Sequence, residues 1–249
     1  MGAGGNLIRN IISMDTRFEF LDDLEFTGVY PTAHSRFEFL ERYYKKAVES
    51  TTWLTREWST RSKFHSKYYL DNGIEYWNPD ERLVYLIHGT YEEIYSILLD
   101  RPLKSYDRVQ IADGTKPEID SLWTVQDCQH VFLLPNSIEN ITDVYVSKNA
   151  SLNQFDQAST VEARYAAALA MNNACTDRLY KLKDLLARRN KPIINLTAED
   201  LFVDSTIIKD LAAQLGLEIP AEYVDHIHTL WLQSTRALYY NTFKRDLTI

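Results

Sequence analysis

The sequence predicts an α/β fold, a mostly parallel sheet flanked by helices with a helical C-terminal half, in a single domain over residues 1–249. Three observations predict it. Short apolar runs at Leu83–Ile87, Val131–Leu134 and Ile193–Leu196 read as strands buried on both faces. Stretches with helical spacing of apolar residues separate and follow them, which is the order of a parallel sheet covered by helices. No low-complexity linker divides the chain; Asp113-Gly114-Thr115-Lys116-Pro117 reads as a surface turn.

In chain order, Leu7, Ile8, Ile11 and Ile12 predict a helix over about Asn6–Met14, opened by the glycines at positions 2, 4 and 5. Residues 15–33 read as irregular, with Gly28 and Pro31 as breakers. Phe37, Leu40, Tyr44 and Ala47 mark one face of a helix from about Ser35 to Ser50. Residues 53–70 are aromatic and locally basic, with no decisive period. The strand Leu83–Ile87 leads through His88-Gly89 into a helix whose start carries a capping box, Thr90 with Glu93. Arg108–Ile111 reads as a short strand. Val131–Leu134 is a clearer one, stopped by Pro135 and followed by a polar segment. Ala158–Arg189 has helical periodicity, with Asn172-Asn173 a candidate interruption. The strand Ile193–Leu196, a turn at Thr197–Asp200, a helix Ser205–Leu215 closed by Gly216, and a helix over about Ala221–Phe243 complete the chain. The pentapeptide Arg17–Leu21 recurs at Arg36–Leu40, but nothing around either copy repeats, so it reads as chance.

Composition narrows the function. Lys plus Arg total 27 against 35 Asp plus Glu, a formal charge of -8, which disfavours a general nucleic-acid binder. Two cysteines, Cys128 and Cys175, are too few for a metal cluster and fit a reducing compartment, with a single structural disulfide left open. No apolar run has the length of a membrane span and no signal-peptide pattern opens the chain, so a soluble, cytoplasmic protein without a membrane partner is expected. His226 and His228 diverge on a helix and make no joint metal site, and no metal-binding motif occurs; no metal is expected. Glu199 and Asp200 read as caps of the turn that follows them.

The most informative stretch is Gly2-Ala3-Gly4-Gly5-Asn6 opening directly into a helix. Glycines admit positive φ and close backbone approach, and the free amides of a helix's first turn suit phosphate or sulfate. Gly2, Gly4 and Gly5 would form the cradle, Asn6 would cap the helix or donate to an oxygen, and Arg9 would add an anion contact. The segment lacks the Lys-Ser/Thr ending of a nucleoside-triphosphate loop, which disfavours a nucleotide kinase. A glycine-rich terminus without a ligand is the other reading of the same residues.

The run from Gly2 to Ser13 resembles the phosphate-binding loop and first helix of sulfotransferase-like proteins, a branch of the P-loop fold. Ile193–Phe202 followed by Ile207–Leu217 is similar to the late strand, acidic turn and helix of that family. The resemblance covers about a fifth of the chain and implies a P-loop, sulfotransferase-like architecture. It also implies 3′-phosphoadenosine 5′-phosphosulfate as donor, no metal, and a small-molecule or saccharide hydroxyl as acceptor. Two departures stand out. The loop has no lysine or arginine, and no arginine follows the strand Val131–Leu134, where the family holds the donor's 3′-phosphate; Ser147 and Lys148 are the residues left for that role.

Sulfuryl transfer needs a base for the acceptor hydroxyl and cations around the sulfur oxygens. His88, at the carboxyl end of a predicted strand, is the first candidate base. Glu57 is the second, with Arg61 and His65 spaced to share its helical face and Arg56 nearby as a further cation. An ordinary Glu57–Arg61 surface pair accounts for the same spacing. The alternative function is a non-catalytic binding or assembly protein on this scaffold, and a second copy of the chain stays open as a partner.

Overall fold

The computed structural model describes residues 4–18, 32–49, 129–149 and 160–249. The predicted strands Leu83–Ile87 and Arg108–Ile111, the helix after Thr90, the 53–70 segment and Cys128 lie outside the described residues.

The first helix, α1, spans Gly5–Ile12. It starts one residue before the predicted boundary and ends two residues before Met14. It is buried almost all round: Leu7, Ile8, Ile11 and Ile12 enter the main core while Arg9 and Asn10 are also enclosed. Asn10 meets that burial by donating from Nδ2 to the Tyr44 hydroxyl, 3.2 Å away. Helix α2, Ala33–Glu49, opens where Thr32 Oγ1 accepts the Ser35 amide at 3.1 Å. It packs on α6, Ala221–Phe243, whose bounds match the prediction. Phe37 of α2 stacks on Tyr223 of α6 with ring centroids 4.0 Å apart, and His226 Nε2 lies 3.0 Å from Glu41 Oε1 beside them.

Strands β1, His130–Leu134, and β2, Ile193–Thr197, pair in parallel with Val131 opposite Ile194 and Leu133 opposite Leu196. Alternation along the strands sends neighbours to opposite faces. Phe132, Leu134 and Ile193 meet Leu182 and Leu186 of α4, Val161–Arg188. Val131, Leu133 and Ile194 face the main core built on α1, α2 and α6. Both faces are therefore covered, as expected of a parallel pair. The described residues are mostly helical, and among them the sheet has two strands.

The structure resolves two local points that the sequence left open. The polar segment after β1 is a helix, α3, Ile138–Asn149. Its Ile, Thr and Val content is poor for a helix by propensity, but Ile141, Val144 and Tyr145 bury one side of it, and packing overrides propensity. Asn172-Asn173 does not interrupt α4, because the buried Asn172 donates from Nδ2 to Thr142 Oγ1 of α3 at 3.0 Å instead of competing for its own backbone. Cys175 is buried on α4.

After β2, a 3₁₀ turn at Glu199–Phe202 leads to α5, Thr206–Gln214. Gly216, at φ 61°, closes α5 as expected: the Gly216 amide reaches Ala213 O at 3.1 Å and the Leu217 amide reaches Ala212 O at 2.8 Å.

A polar hub ties the end of α1 to the segment after α5. Asp15 is 1% exposed; its Oδ1 accepts Arg17 N and Nε, each at 2.9 Å, and its Oδ2 accepts the Glu218 amide at 2.8 Å. Arg36 of α2 donates from one guanidinium nitrogen to the Ser13, Asp15 and Phe18 carbonyls. Burial alone would raise the Asp15 pKa, but the hydrogen bonds from Arg17 and Glu218 outweigh it and bring the group down to about 2. A carboxylate depressed in the folded state stabilises the fold above its unfolded pKa and loses that contribution as pH falls. Asp15 should therefore contribute about 2 kcal/mol above pH ~4, lost as pH falls through ~2. Asp15→Asn is expected to lose that amount at pH 7 and to flatten the acid limb of a denaturation-versus-pH profile. Parallel limbs in the two proteins would contradict this account.

Candidate functional site

The glycine-rich start builds a defined corner. Gly4 precedes α1 in the left-handed region, φ 91°, and is buried. A Cβ on Gly4 would lie 2.7 Å from Leu201 Cδ1 and 3.3 Å from Trp231 Cζ2, so only glycine allows this approach. Leu201 belongs to the 3₁₀ turn directly behind β2, so the start of α1 stands beside the carboxyl end of the parallel pair. The Gly4 carbonyl accepts the Leu7 and Ile8 amides, at 2.9 and 3.2 Å. The amides of Gly5 and Asn6, the first two residues of α1, have no acceptor within the helix.

Asn6 is not the cap it was expected to be: Gly4 holds that position, with no side-chain cap. Its Oδ1 is wholly buried and lacks a hydrogen-bond partner. Arg9 is 3% exposed, and its charge reaches Tyr43 and Tyr44 of α2. Burial pushes the Tyr44 hydroxyl up to about 12 although the Asn10 hydrogen bond and Arg9 both pull it down. Ser147 is buried and donates from Oγ to Val144 O of its own helix at 2.8 Å. Gly2, Glu57, Arg61 and His88, with Arg56 and His65, lie outside the described residues.

Two side chains close the corner that sequence spacing could not assemble. Trp231, from the middle of α6, is 5% exposed and held between Phe202, 5.2 Å between ring centroids, and His228, 5.8 Å. The Lys148 ammonium, at the end of α3, lies 4.8 Å from the centre of the Trp231 ring. Burial alone lowers the Lys148 pKa, to about 8. His228 is committed to the backbone, with Nε2 2.7 Å from Leu201 O. It diverges from His226 as expected.

A second corner is already occupied. Glu199, expected to cap its own turn, reaches across to the start of α3, where its carboxylate oxygens accept the Asn136 amide at 2.9 Å and the Ser137 amide at 2.7 Å. This is the position after β1 where the resemblance implies contacts to a 3′-phosphate. Among the described residues no group of three or more His, Cys, Asp or Glu could hold a metal, and no helix is long and apolar enough to cross a membrane. The chain matches no protein-family model, no curated protein and no solved structure.

Proposed function

We propose that the chain transfers a sulfuryl group from 3′-phosphoadenosine 5′-phosphosulfate to a hydroxyl acceptor, with the start of α1 holding the phosphosulfate end of the donor. The observation that carries the reading is the left-handed Gly4, pressed against Leu201 and Trp231, with the Gly5 and Asn6 amides of the first turn lacking an acceptor among the described residues. The buried, unpartnered Asn6 Oδ1 fits a ligand with a donor to offer, or its amide group turned the other way fits an anion.

In this reading His88, or Glu57 in its place, takes the acceptor hydroxyl proton as the acceptor oxygen bonds to sulfur. The sulfur–oxygen bond to the donor's phosphate breaks, and adenosine 3′,5′-bisphosphate leaves with the electron pair. Arg61, with Arg56, would balance charge on the sulfuryl oxygens. Arg9, enclosed next to the α2 tyrosines, would act on the site through the field at the start of α1.

Calorimetry with adenosine 3′,5′-bisphosphate on the full chain is the test: binding is the expected result, and its absence from correctly folded protein removes the reading. If His88 is the base, His88→Ala should abolish turnover with donor affinity largely intact.

A second reading, a non-catalytic binding or assembly module, is favoured by one observation. The Glu199 carboxylate fills the Asn136 and Ser137 amides, a place where a donor phosphate would otherwise go. Binding of the bisphosphate with no turnover of any hydroxyl acceptor would select that reading.

A further inference from the structure

The chain is acidic as a whole, but its charge is unevenly placed. The last three turns of α4 and the link to β2 carry six cations, Arg178, Lys181, Lys183, Arg188, Arg189 and Lys191, against one carboxylate, Asp184. That net charge of +5 stands inside a chain of net -8. Lys191 and Pro192 lead directly into Ile193, and the His130 amide reaches Pro192 O at 3.2 Å. The basic stretch therefore lies at the amino ends of β1 and β2, away from the 3₁₀ turn that follows β2 at its other end.

Helix stability does not account for these cations. A helix end favours positive charge only within its last turn, where Arg188 stands, whereas Lys181 is two turns earlier and Lys183 more than one. Ion pairing does not account for them either. Elsewhere Arg17, Lys45, Lys209 and Arg245 each meet a carboxylate. Among the described residues Lys181, Lys183 and Arg188 meet none. Arg188 Nε donates to Asp184 O of its own helix at 3.2 Å, and the Lys183 ammonium lies 5.8 Å from the centre of the Tyr180 ring. Tyr180 is itself 43% exposed. Lys181 and Arg188, both exposed, share one side of the helix about 10.5 Å apart along its axis. Unpaired cations and an exposed aromatic ring thus stand together on one helix end.

We propose that this end of α4 docks single-stranded nucleic acid, with Lys181, Lys183 and Arg188 on its phosphates and Tyr180 stacked on a base. A duplex spreads its charge over a broad surface, which the acidic remainder of the chain repels. A single strand engages one helix end and presents unstacked bases to an aromatic ring. An acidic polypeptide would use the cations and leave the ring without a role.

The test is fluorescence anisotropy of a labelled oligothymidylate of about 15 nucleotides on the full chain, between about 50 and 200 mM salt. Three phosphate contacts give a log–log salt slope of about -2. The double variant Lys181→Gln with Arg188→Gln should bind at least about tenfold more weakly, with the slope falling to about -0.7. Tyr180→Ala should weaken binding by about tenfold and leave the slope unchanged. A control that removes two exposed cations from another helix and its end, Arg236→Gln with Lys244→Gln, should keep the wild-type affinity. All variants alter exposed side chains and should unfold at the wild-type midpoint. Equal losses in the control and the Lys181/Arg188 variant overturn the assignment to this surface. Competition by polyglutamate as effective as unlabelled oligonucleotide, with Tyr180→Ala binding like wild type, overturns nucleic acid in favour of an acidic polypeptide. Binding confined to phosphatidylserine vesicles, or no binding at the lowest salt, overturns the proposal. Each of these results leaves the bisphosphate titration to decide the sulfuryl-transfer reading by itself.

Discussion

Lys148→Met is expected to make the protein more stable at pH 7, by about 2 kcal/mol. The sign follows from the direction of the shift. Burial brings the Lys148 pKa from 10.5 to about 8, so the folded chain prefers the neutral amine more strongly than the unfolded chain does. The favourable contribution is complete above pH ~10.5 and is lost as pH falls through ~8, below which the fold carries an enclosed charge. A shift of this size corresponds to about 3 kcal/mol at most, and the lost ammonium–indole attraction returns some of it. Methionine keeps about the length of the lysine stem and removes its charge. Denaturant midpoints at pH 7 and pH 10 read the effect directly: the advantage of Lys148→Met should be largest at pH 7 and shrink at pH 10. A variant less stable than wild type at pH 7 would mean that the lysine serves the fold.

Gly4→Ala is expected to cost about 3 kcal/mol, the largest loss of any methyl-sized change proposed here. Two terms add. A left-handed φ of 91° costs an L-residue about 1–2 kcal/mol. The new methyl also lands 2.7 Å from Leu201 Cδ1, and Leu201 has no free surface into which to retreat, so overpacking adds about 1–3 kcal/mol. Gly216→Ala supplies the control. Gly216 shares the positive φ, at 61°, but a Cβ there meets nothing within 4 Å, so only the backbone term of about 1 kcal/mol applies. Thermal or denaturant unfolding of the two variants side by side checks the difference. Equal losses would show that the close approach of Gly4 to Leu201 and Trp231 is not what demands glycine.

Much of the helical framework was legible because its signals are local. The apolar spacing of Leu7, Ile8, Ile11 and Ile12 located α1, and Gly216 stopped α5 through a positive φ that few other residues accept. α6 was legible to the residue because Pro220 starts it and its apolar stripe is long. α3 was not, since its β-branched residues argue for an extended chain and only the partners that bury Ile141 and Val144 decide otherwise. Asn172 was read as a possible break because an asparagine in a helix competes with the backbone, and Thr142, which removes that competition, is 30 residues away.

The site was legible only in its backbone half. Positions 4 and 5 announce a close approach, but the residue approached, Trp231, lies more than two hundred positions later. Lys148 was visible as a cation near β1, yet nothing in its spacing links it to the glycines. The repeated Arg17–Leu21 and Arg36–Leu40 pentapeptides show the same limit. Their arginines meet one aspartate, Arg17 at the Asp15 carboxylate and Arg36 at its carbonyl, through a convergence that neither copy encodes locally.

The bond from Asn172 to Thr142 fixes how α3 lies along α4. A helix that slips by a single residue along its neighbour advances 1.5 Å and rotates by about 100°, enough to swing a terminal ammonium off an aromatic face. Apolar contacts between α3 and α4 tolerate such a slip far better than the buried Asn172 amide bonded to the Thr142 hydroxyl. Asn172 therefore acts as a key that indexes α3 along its axis, and the aim of Lys148, a turn and a half further on, is inherited from that indexing.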